Sequence, residues 1–266
     1  MSDKMIATYV CTRNLYAFLP AAYMSFITNN PNSDVYCFIE DDSLPYDTPE
    51  NVHCVNAGAQ TLFTDDNCVN MQTGFKPLTM IRAAWPVLFT GKPNGYGIET
   101  LPYADKVFQF DVDAYCLENL SPVWQLDMTD HWFAATQEYL SVHKPKPVYW
   151  NLGFGLIGLD ALRKDGLAEY MITDLRRIKY PWIDQDCLCR LGYHNRDKVW
   201  DLGVRYNDCS QTGHAPGHEA IQHMCAEPGH KFLRDDVYNI EKIRPWRKYY
   251  QIEACKTAGY VCDGVK

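Results

Sequence analysis

The chain has 266 residues, of which 47% are hydrophobic, 14% aromatic and 22% charged, a composition that excludes intrinsic disorder and is typical of a globular protein. Its net charge of −8 and the lack of a dense Lys/Arg run argue against nucleic acid as a partner, because such a surface needs clustered positive charge. No stretch approaches the ~18 consecutive apolar residues of a membrane helix, so we expect no membrane insertion.

Apolar strands and helical segments alternate through the first part of the chain. Pro20 fits the first turn of a helix, whereas Pro86 predicts that a later helix is kinked or ends there. The predicted elements are a strand over 5–11, a helix over 15–27, strands over 34–40 and 52–56, a helix over 77–89 and a strand over 106–110.

The second part continues the alternation. Ser121 before Pro122 predicts an N-cap and a short helix, and Asp160 predicts the N-cap of another. Further predicted elements are strands over 132–136 and 154–159 and helices over 161–173 and 184–191. This order predicts an α/β fold, a single Rossmann-like domain over 1–266 with a mainly parallel central sheet. The stretches 91–103 and 208–217, which are interrupted by Gly and Pro residues, are interpreted as loops that carry substrate contacts.

Cysteine usage predicts the compartment. The 11 cysteines are scattered through apolar segments without a C-x-x-C pair, and a chain of this length does not need a disulfide framework. We therefore interpret them mainly as reduced core residues. Because the N-terminus also lacks an apolar stretch of signal-peptide length, we expect a cytoplasmic protein.

The apolar strand at 107–110 ends in two carboxylates, Asp111 and Asp113. In an extended chain both side chains would point to one side, where they could hold a hard cation that also binds phosphate oxygens. Ligand sites favour the carboxyl ends of strands. Alone, the D-x-D pattern is weak, because aspartates also cap turns after strands.

Five blocks in order along nearly the whole chain resemble glycosyltransferase family 8, the glycogenin-like and bacterial galactosyltransferase group with the GT-A fold. The pair Asp111 and Asp113 resembles that family's metal-binding D-x-D. The other blocks are the opening strand, helix and strand over 7–42, the Asn-containing segment 149–159, the D-Q-D segment within 182–186, and the late segment 220–223 followed by Lys231.

The resemblance implies that Asp111, Asp113 and His223 bind Mn²⁺ or Mg²⁺, and that Lys231 faces the diphosphate of a nucleotide-sugar donor. Carboxylates with one imidazole suit Mn²⁺. The implied enzyme is a metal-dependent, hexosyltransferase-like glycosyltransferase that moves the sugar to a glycan, protein or small-molecule acceptor. The cation would also offset the repulsion between an acidic protein and an anionic donor.

The resemblance further places Arg82 at a donor-contacting position, and Asn151, Asp184 and Gln185 where the family binds or flanks the transferred sugar. This implies a retaining enzyme. Arg82 could instead be a solvated helix residue, Asn151 a turn residue and Asp184 an N-cap.

Near the N-terminus, Thr12 and Tyr16 fit positions close to the nucleobase, for which UDP is the family default. Arg13-Asn14-Leu15 departs from the family pattern, so another base stays open, and Tyr16 fits either base stacking or helix packing. The implied division is a nucleotide-binding half over about 1–115 and a sugar and acceptor half over about 116–266.

Three other interpretations compete. A haloacid-dehalogenase-like phosphatase also carries D-x-D after an apolar strand, but normally near the chain start. A catalytically inactive nucleotide-sugar-binding protein would keep the fold without turnover. His214 and His218 have zinc-site spacing, yet Pro216 and Gly217 between them disfavour a regular ligand face, and His223 is the favoured metal ligand over His214.

Overall fold

A seven-stranded sheet forms the centre of the computed structural model, which describes residues 4–72, 77–138, 148–225, 231–262 and 264. The strands run in the order β3-β2-β1-β4-β7-β6-β8, and β5 and β9 form a separate two-stranded sheet. The described strands are β1 (Met5–Val10), β2 (Ser33–Ile39), β3 (Val52–Asn56), β4 (Lys106–Phe110), β5 (Ala114–Cys116), β6 (Phe133–Gln137), β7 (Trp150–Gly158), β8 (Val199–Asp201) and β9 (Ile221–His223).

Strand pairing in the large sheet is mixed but mainly parallel. β1 pairs in parallel with β2 and β4, as do β2 with β3 and β6 with β8. β7 is antiparallel to both of its neighbours, β4 and β6. The predicted α/β fold with a mainly parallel sheet is therefore confirmed.

Helices cover the faces of this sheet. The described α-helices are α1 (Leu19–Asn29), α2 (Trp85–Leu88), α3 (Ser121–Trp124), α4 (Leu159–Lys164), α5 (Leu167–Arg177), α6 (Ile183–His194), α7 (Ile240–Ile243) and α8 (Ile252–Thr257). The described 3₁₀ helices span Arg13–Leu15, Pro77–Ala84, Arg196–Lys198, Val204–Tyr206, Lys231–Leu233 and Arg244–Tyr249. Within these ranges no helix has the length and apolar character needed to cross a membrane.

Strand β4 is buried on both faces. Phe108 and Phe110 lie in one hydrophobic core with Phe26 of α1, whereas Val107 lies in the other with Trp85 of α2. A strand covered on both sides reads as a continuous apolar run, which is why the sequence located it correctly. Its carboxyl end is thereby fixed between two packed layers.

Two predicted helices start differently in the structure. The helix expected over 15–27 begins only at Leu19, after a 3₁₀ turn over Arg13–Leu15, with Pro20 in its first turn as predicted. The segment expected to be one helix over 77–89 is a 3₁₀ helix followed by α2. Pro86 lies in the first turn of α2, because a residue without an N–H is tolerated there.

The single helix predicted over 161–173 is wrong. The chain instead forms α4 and α5, separated by Asp165 and Gly166, and Gly166 adopts a φ of 71°. A left-handed residue ends the first helix, and glycine takes that conformation without steric cost. Asp160 and Ser121 are also not N-caps, because each lies inside the first turn of its helix.

All 11 cysteines are free thiols. Nine are buried, whereas Cys54 and Cys225 are only partly buried. The interpretation as mainly reduced core residues is confirmed.

Candidate active site

Asp111 and Asp113 lie in the tight turn that joins β4 to β5. The Asp111 amide donates to the carbonyl of Gly153 at 2.7 Å, and the Ala114 amide donates to the carbonyl of Asp111 at 3.1 Å. The two side chains therefore approach one another because the chain turns, and not because an extended strand alternates. Asp113 is the more buried, with 11% of its side chain exposed against 32% for Asp111.

His223 meets both carboxylates from the small sheet. It is the last residue of β9 and pairs with Ala114 of β5, directly after the D-x-D turn. Its Nε2 lies 3.6 Å from Oδ2 of Asp111 and 3.4 Å from Oδ1 of Asp113. The three side chains offer donor atoms that all lie within 4.8 Å of one another.

The other oxygen of each carboxylate faces a cationic side chain. Arg82 donates to Oδ1 of Asp111, and Lys231 donates to Oδ2 of Asp113. The alternative of Arg82 as a solvated helix residue is wrong, because it is buried. The other two oxygens, Oδ2 of Asp111 and Oδ1 of Asp113, face the imidazole. Together with the imidazole they form a compact donor set that fits a divalent metal with oxygen and nitrogen ligands.

Burial and charge act in opposite directions on this cluster. Burial alone would raise the pKa of Asp111 and Asp113, but Arg82, Lys231 and His223 bring the pKa of both carboxyl groups below their usual value. Burial would lower the pKa of His223, yet the two carboxylates raise it well above the usual value. The two carboxylates thus favour the protonated imidazole, and a metal that bound there would have to displace its proton.

Asn151 orients His223 through a second amide. Its Oδ1 accepts hydrogen bonds from the Gly153 amide at 3.0 Å and from Nδ2 of Asn207 at 2.9 Å. Oδ1 of Asn207 lies 2.9 Å from Nδ1 of His223. Asn151 is thus a buried β7 residue and not a turn residue, and this chain of amides sets the direction of the imidazole.

Asp184 and Gln185 lie in the first turn of α6. Trp182 is the N-cap, so the alternative of Asp184 as an N-cap is wrong. Burial, with the charge of Asp111, raises the pKa of Asp184 to about 6 although Arg82 lowers it, and Oδ2 of Asp184 lies 3.7 Å from Nη1 of Arg82. Oε1 of Gln185 accepts the β7 amide of Leu152 at 2.9 Å.

The N-terminal pair, Thr12 and Tyr16, forms hydrogen bonds with residues other than those of this cluster. Tyr16 is fully buried, its hydroxyl donates to Asp41 at 3.0 Å, and its ring packs edge-on against Tyr260. The stacking interpretation is therefore wrong, because no face of the ring is accessible to a base. Thr12 is also buried, and its hydroxyl donates to Asn14 at 2.6 Å.

His214 lies outside the carboxylate cluster. Its Nδ1 is 2.8 Å from Oδ1 of Asp208, and its ring stacks on Tyr238 with centroids 3.7 Å apart. Within the described ranges, the clusters able to hold a metal include neither His214 nor His218. Of the two candidate histidines, the structure brings His223 to the aspartates.

Three residues that the sequence analysis missed support the site. Gly153 leaves room for His223, because a Cβ there would lie 2.0 Å from the imidazole Cε1. Asn207 holds the imidazole, and Glu138 accepts a hydrogen bond from Asn151 at 3.0 Å. Only Gly153 carried a local signal, as a small residue two positions after Asn151.

We predict that Gly153→Ala weakens Mn²⁺ binding by about 10-fold or more, because the added methyl group must displace the imidazole. Calorimetric titration with Mn²⁺ measures the effect. Gly155→Ala is the matched control on the same strand, since the atom nearest to its Cβ would be the Ala134 carbonyl oxygen, at 3.0 Å, and not the imidazole. Equal Mn²⁺ affinities in the two variants would show that Gly153 does not position His223.

Glu138 should make stability depend on pH. Burial raises the pKa of its carboxyl group from 4.5 to about 7, although Asn151 lowers it. The folded chain thus keeps a proton that the unfolded chain has lost, and the free energy of unfolding falls as pH rises through this window.

We predict that the stability of Glu138→Gln relative to wild type increases by about 2 kcal/mol between pH 5 and pH 8, because Gln does not titrate. Urea unfolding at both pH values measures this difference. Glu253→Gln, at an exposed residue, should follow wild type. A constant difference between Glu138→Gln and wild type would contradict the assignment.

Comparison with known proteins agrees with this geometry. Residues 96–215 match the model of Glycosyl transferase family 8, a range that contains the D-x-D turn, Asn151 and the start of α6 but ends before His223. A search of curated proteins finds no match.

Several solved structures share the fold. The chain is similar to the galactosyltransferase LgtC in complex with donor and acceptor sugar analogs (18% identity, 93% of this chain and 96% of that chain, TM-score 0.62). It is also similar to the bifunctional glycosyltransferase WbbM (15% identity, 96% of this chain and 52% of that chain, TM-score 0.64). A third similar structure is mouse xyloside xylosyltransferase 1 (13% identity, 85% of this chain and 99% of that chain, TM-score 0.57). Residues 96–215 therefore resemble glycosyltransferase family 8, and the chain has the GT-A fold of these structures.

Proposed function

We propose that this protein is a metal-dependent glycosyltransferase that takes a sugar from a nucleotide-sugar donor, a UDP-sugar, and transfers it with retention to a glycan, protein or small-molecule acceptor. The observation that carries the proposal is the meeting of Asp111, Asp113 and His223 within 4.8 Å at the carboxyl end of β4. Open α/β sheets bind ligands at this end of their strands.

The three residues would hold Mn²⁺ or Mg²⁺, hard or borderline cations that accept carboxylate and imidazole ligands. When bound, the cation supplies positive charge to the diphosphate leaving group. Arg82 and Lys231 already contact the carboxylate oxygens that do not face His223. We assign them to the donor phosphates, Arg82 through its planar fork and Lys231 as a point charge.

The sugar side of the site is assigned to Asn151, Asp184 and Gln185. Asp184 lies beside Arg82 and keeps most of its negative charge at neutral pH, since its pKa is about 6. It can therefore accept hydrogen bonds from sugar hydroxyl groups. The side chain of Gln185 is held by the Leu152 amide of β7 and by Tyr149, so it is assigned to the sugar side by its position beside Asp184. Retention rests on the family resemblance, and no residue is assigned as a nucleophile.

The proposed halves meet at the D-x-D turn. Thr12 follows β1, which runs parallel to β4, so it lies at the same edge of the sheet as Asp111. This supports the nucleobase on the side of residues 1–115. His223 belongs to the half over 116–266, so the metal site requires both halves of the chain.

We predict that the protein releases UDP from at least one UDP-sugar in the presence of Mn²⁺ and that EDTA abolishes the release. Asp113→Asn should lower the rate by about 100-fold or more, because it removes a charged ligand. Coupled detection of UDP measures the rate, and GDP- and TDP-sugars test the base.

The D-x-D variant needs a stability control, because Asp113 is buried and compensates Lys231 and His223. Thermal unfolding of Asp113→Asn shows whether the fold survives the loss of that charge. Two outcomes contradict the proposal. Donor binding without nucleotide release would indicate a binding protein, and phosphate release from phosphomonoesters would favour the phosphatase.

We predict that His223→Ala weakens Mn²⁺ binding by about 10-fold or more, whereas His214→Ala changes it little. His223 faces both aspartates, while His214 is paired with Asp208. Titration calorimetry with Mn²⁺ on both variants decides between them. A large loss in His214→Ala with none in His223→Ala would refute the assigned ligand set.

A further inference from the structure

Two thiols lie beside the imidazole of the carboxylate cluster. Cys209, Cys225 and His223 offer a second set of ligand atoms that all lie within 4.8 Å of one another. Cys209 is buried and Cys225 partly buried. Neither thiol has a part in the proposed sugar transfer.

The backbone fixes Cys209 next to His223. The amide of His223 donates to the carbonyl of Asp208 at 3.0 Å, so the residue after Asp208 lies against the end of β9. Cys209 and Gly213 then exchange two backbone hydrogen bonds, at 3.3 and 3.0 Å. The Cys209 side chain is therefore held in a closed turn.

Cys225 is tied to the same turn. It follows His223 by two residues, and its carbonyl accepts a hydrogen bond from the Ser210 hydroxyl at 3.2 Å. Its thiol donates to Oε1 of Gln211 at 3.1 Å. The two sulfur atoms thus come from segments that are hydrogen-bonded to each other.

Two thiolates and one imidazole are ligands of a soft or borderline cation such as Zn²⁺, and not of Mg²⁺. Ligand atoms around a tetrahedral zinc ion with Zn–S of 2.3 Å lie roughly 3.5 to 4 Å apart. The separations here, at most 4.8 Å, require movements of side chains only. The fourth position would be open to water or to the Gln211 amide.

We propose that Cys209, Cys225 and His223 form a second metal site, specific for cations of the Zn²⁺ class. The thiols lose their protons as the cation binds. Because Nδ1 of His223 is held by Asn207, Nε2 is the ring nitrogen available to a metal, and it is the one that faces the aspartates. One lone pair cannot serve two cations, so occupation of the thiol site removes His223 from the carboxylate site. This competition rests on the proposed function, whereas the thiol site itself does not.

The thiol site is tested by titration with Co²⁺ as the only added metal, in buffer that contains a thiol-free reductant. Thiolate ligation gives a near-ultraviolet charge-transfer band, which carboxylate ligation does not. We expect this band in wild type, its loss on adding Zn²⁺, and an apparent Co²⁺ affinity at least about 10-fold weaker in Cys209→Ser and in Cys225→Ser. Cys54→Ser, at another partly buried cysteine, should match wild type.

Asp113→Asn separates this inference from the proposed function. The variant should keep the thiolate band, because it lacks only a carboxylate ligand. Absence of the band in folded wild type, or a band unchanged in both cysteine variants, would overturn the thiol site. A disulfide between the two residues, detected as the loss of two titratable thiols under the assay conditions, would also overturn it.

Competition is tested by Mn²⁺ titration with and without one equivalent of Cd²⁺. We expect Cd²⁺ to weaken apparent Mn²⁺ affinity by about 10-fold or more in wild type and much less in Cys209→Ser. Equal effects in the two proteins would show that the sites do not share His223. If wild type binds no Mn²⁺ yet shows the Co²⁺ band, the proposed function fails and the thiol site stands.

Discussion

The candidate site depends on keeping two like charges close together in a partly buried turn. Asp111 and Asp113 are one residue apart, and burial alone would favour their protonated forms. Three cationic groups reverse that preference, each from a different part of the chain: Arg82 from the 3₁₀ helix before α2, His223 from β9 and Lys231 from a late 3₁₀ helix. Since an unpaired buried charge costs several kcal/mol, these segments must stay in place for the turn to be stable.

That requirement connects the packing of the sheet to the chemistry of the site. β7 supplies the carbonyl that holds Asp111, the amide that holds Gln185, and the side chain of Asn151 that acts on Asn207. Gly153 of the same strand has no Cβ and lies against the imidazole of His223. Several contacts that orient the site thus converge on this antiparallel strand, which is fully buried. A substitution that disturbs the packing of β7 should therefore displace Asp111 and His223.

Local pattern was sufficient where burial decides the structure and insufficient where long-range contacts decide it. The apolar run of β4 predicted its bounds, and the order of five sequence blocks led to Asp111, Asp113 and His223. The 3₁₀ helix before α2 and the burial of Tyr16 depend on contacts with distant segments, which a helical pattern does not contain. The break between α4 and α5 is local, at the left-handed Gly166, and the apolar pattern over 161–173 masked it. For the same reason Asn207 and Glu138 were missed, because their partners are distant in sequence. Arg82 had two interpretations that only its burial separates.

The charge balance of the cluster supports the proposed role of a divalent cation. Three acidic groups meet three basic groups here: Asp111, Asp113 and Asp184 face Arg82, Lys231 and a protonated His223. The cluster is therefore close to neutral in a chain whose net charge is −8. A neutral site in an acidic protein attracts a diphosphate only weakly. A divalent cation that bound the imidazole would displace one proton and add two positive charges. Under the proposed function the site would then be cationic while its surroundings stay acidic, so an anionic donor would be attracted only once the metal was in place.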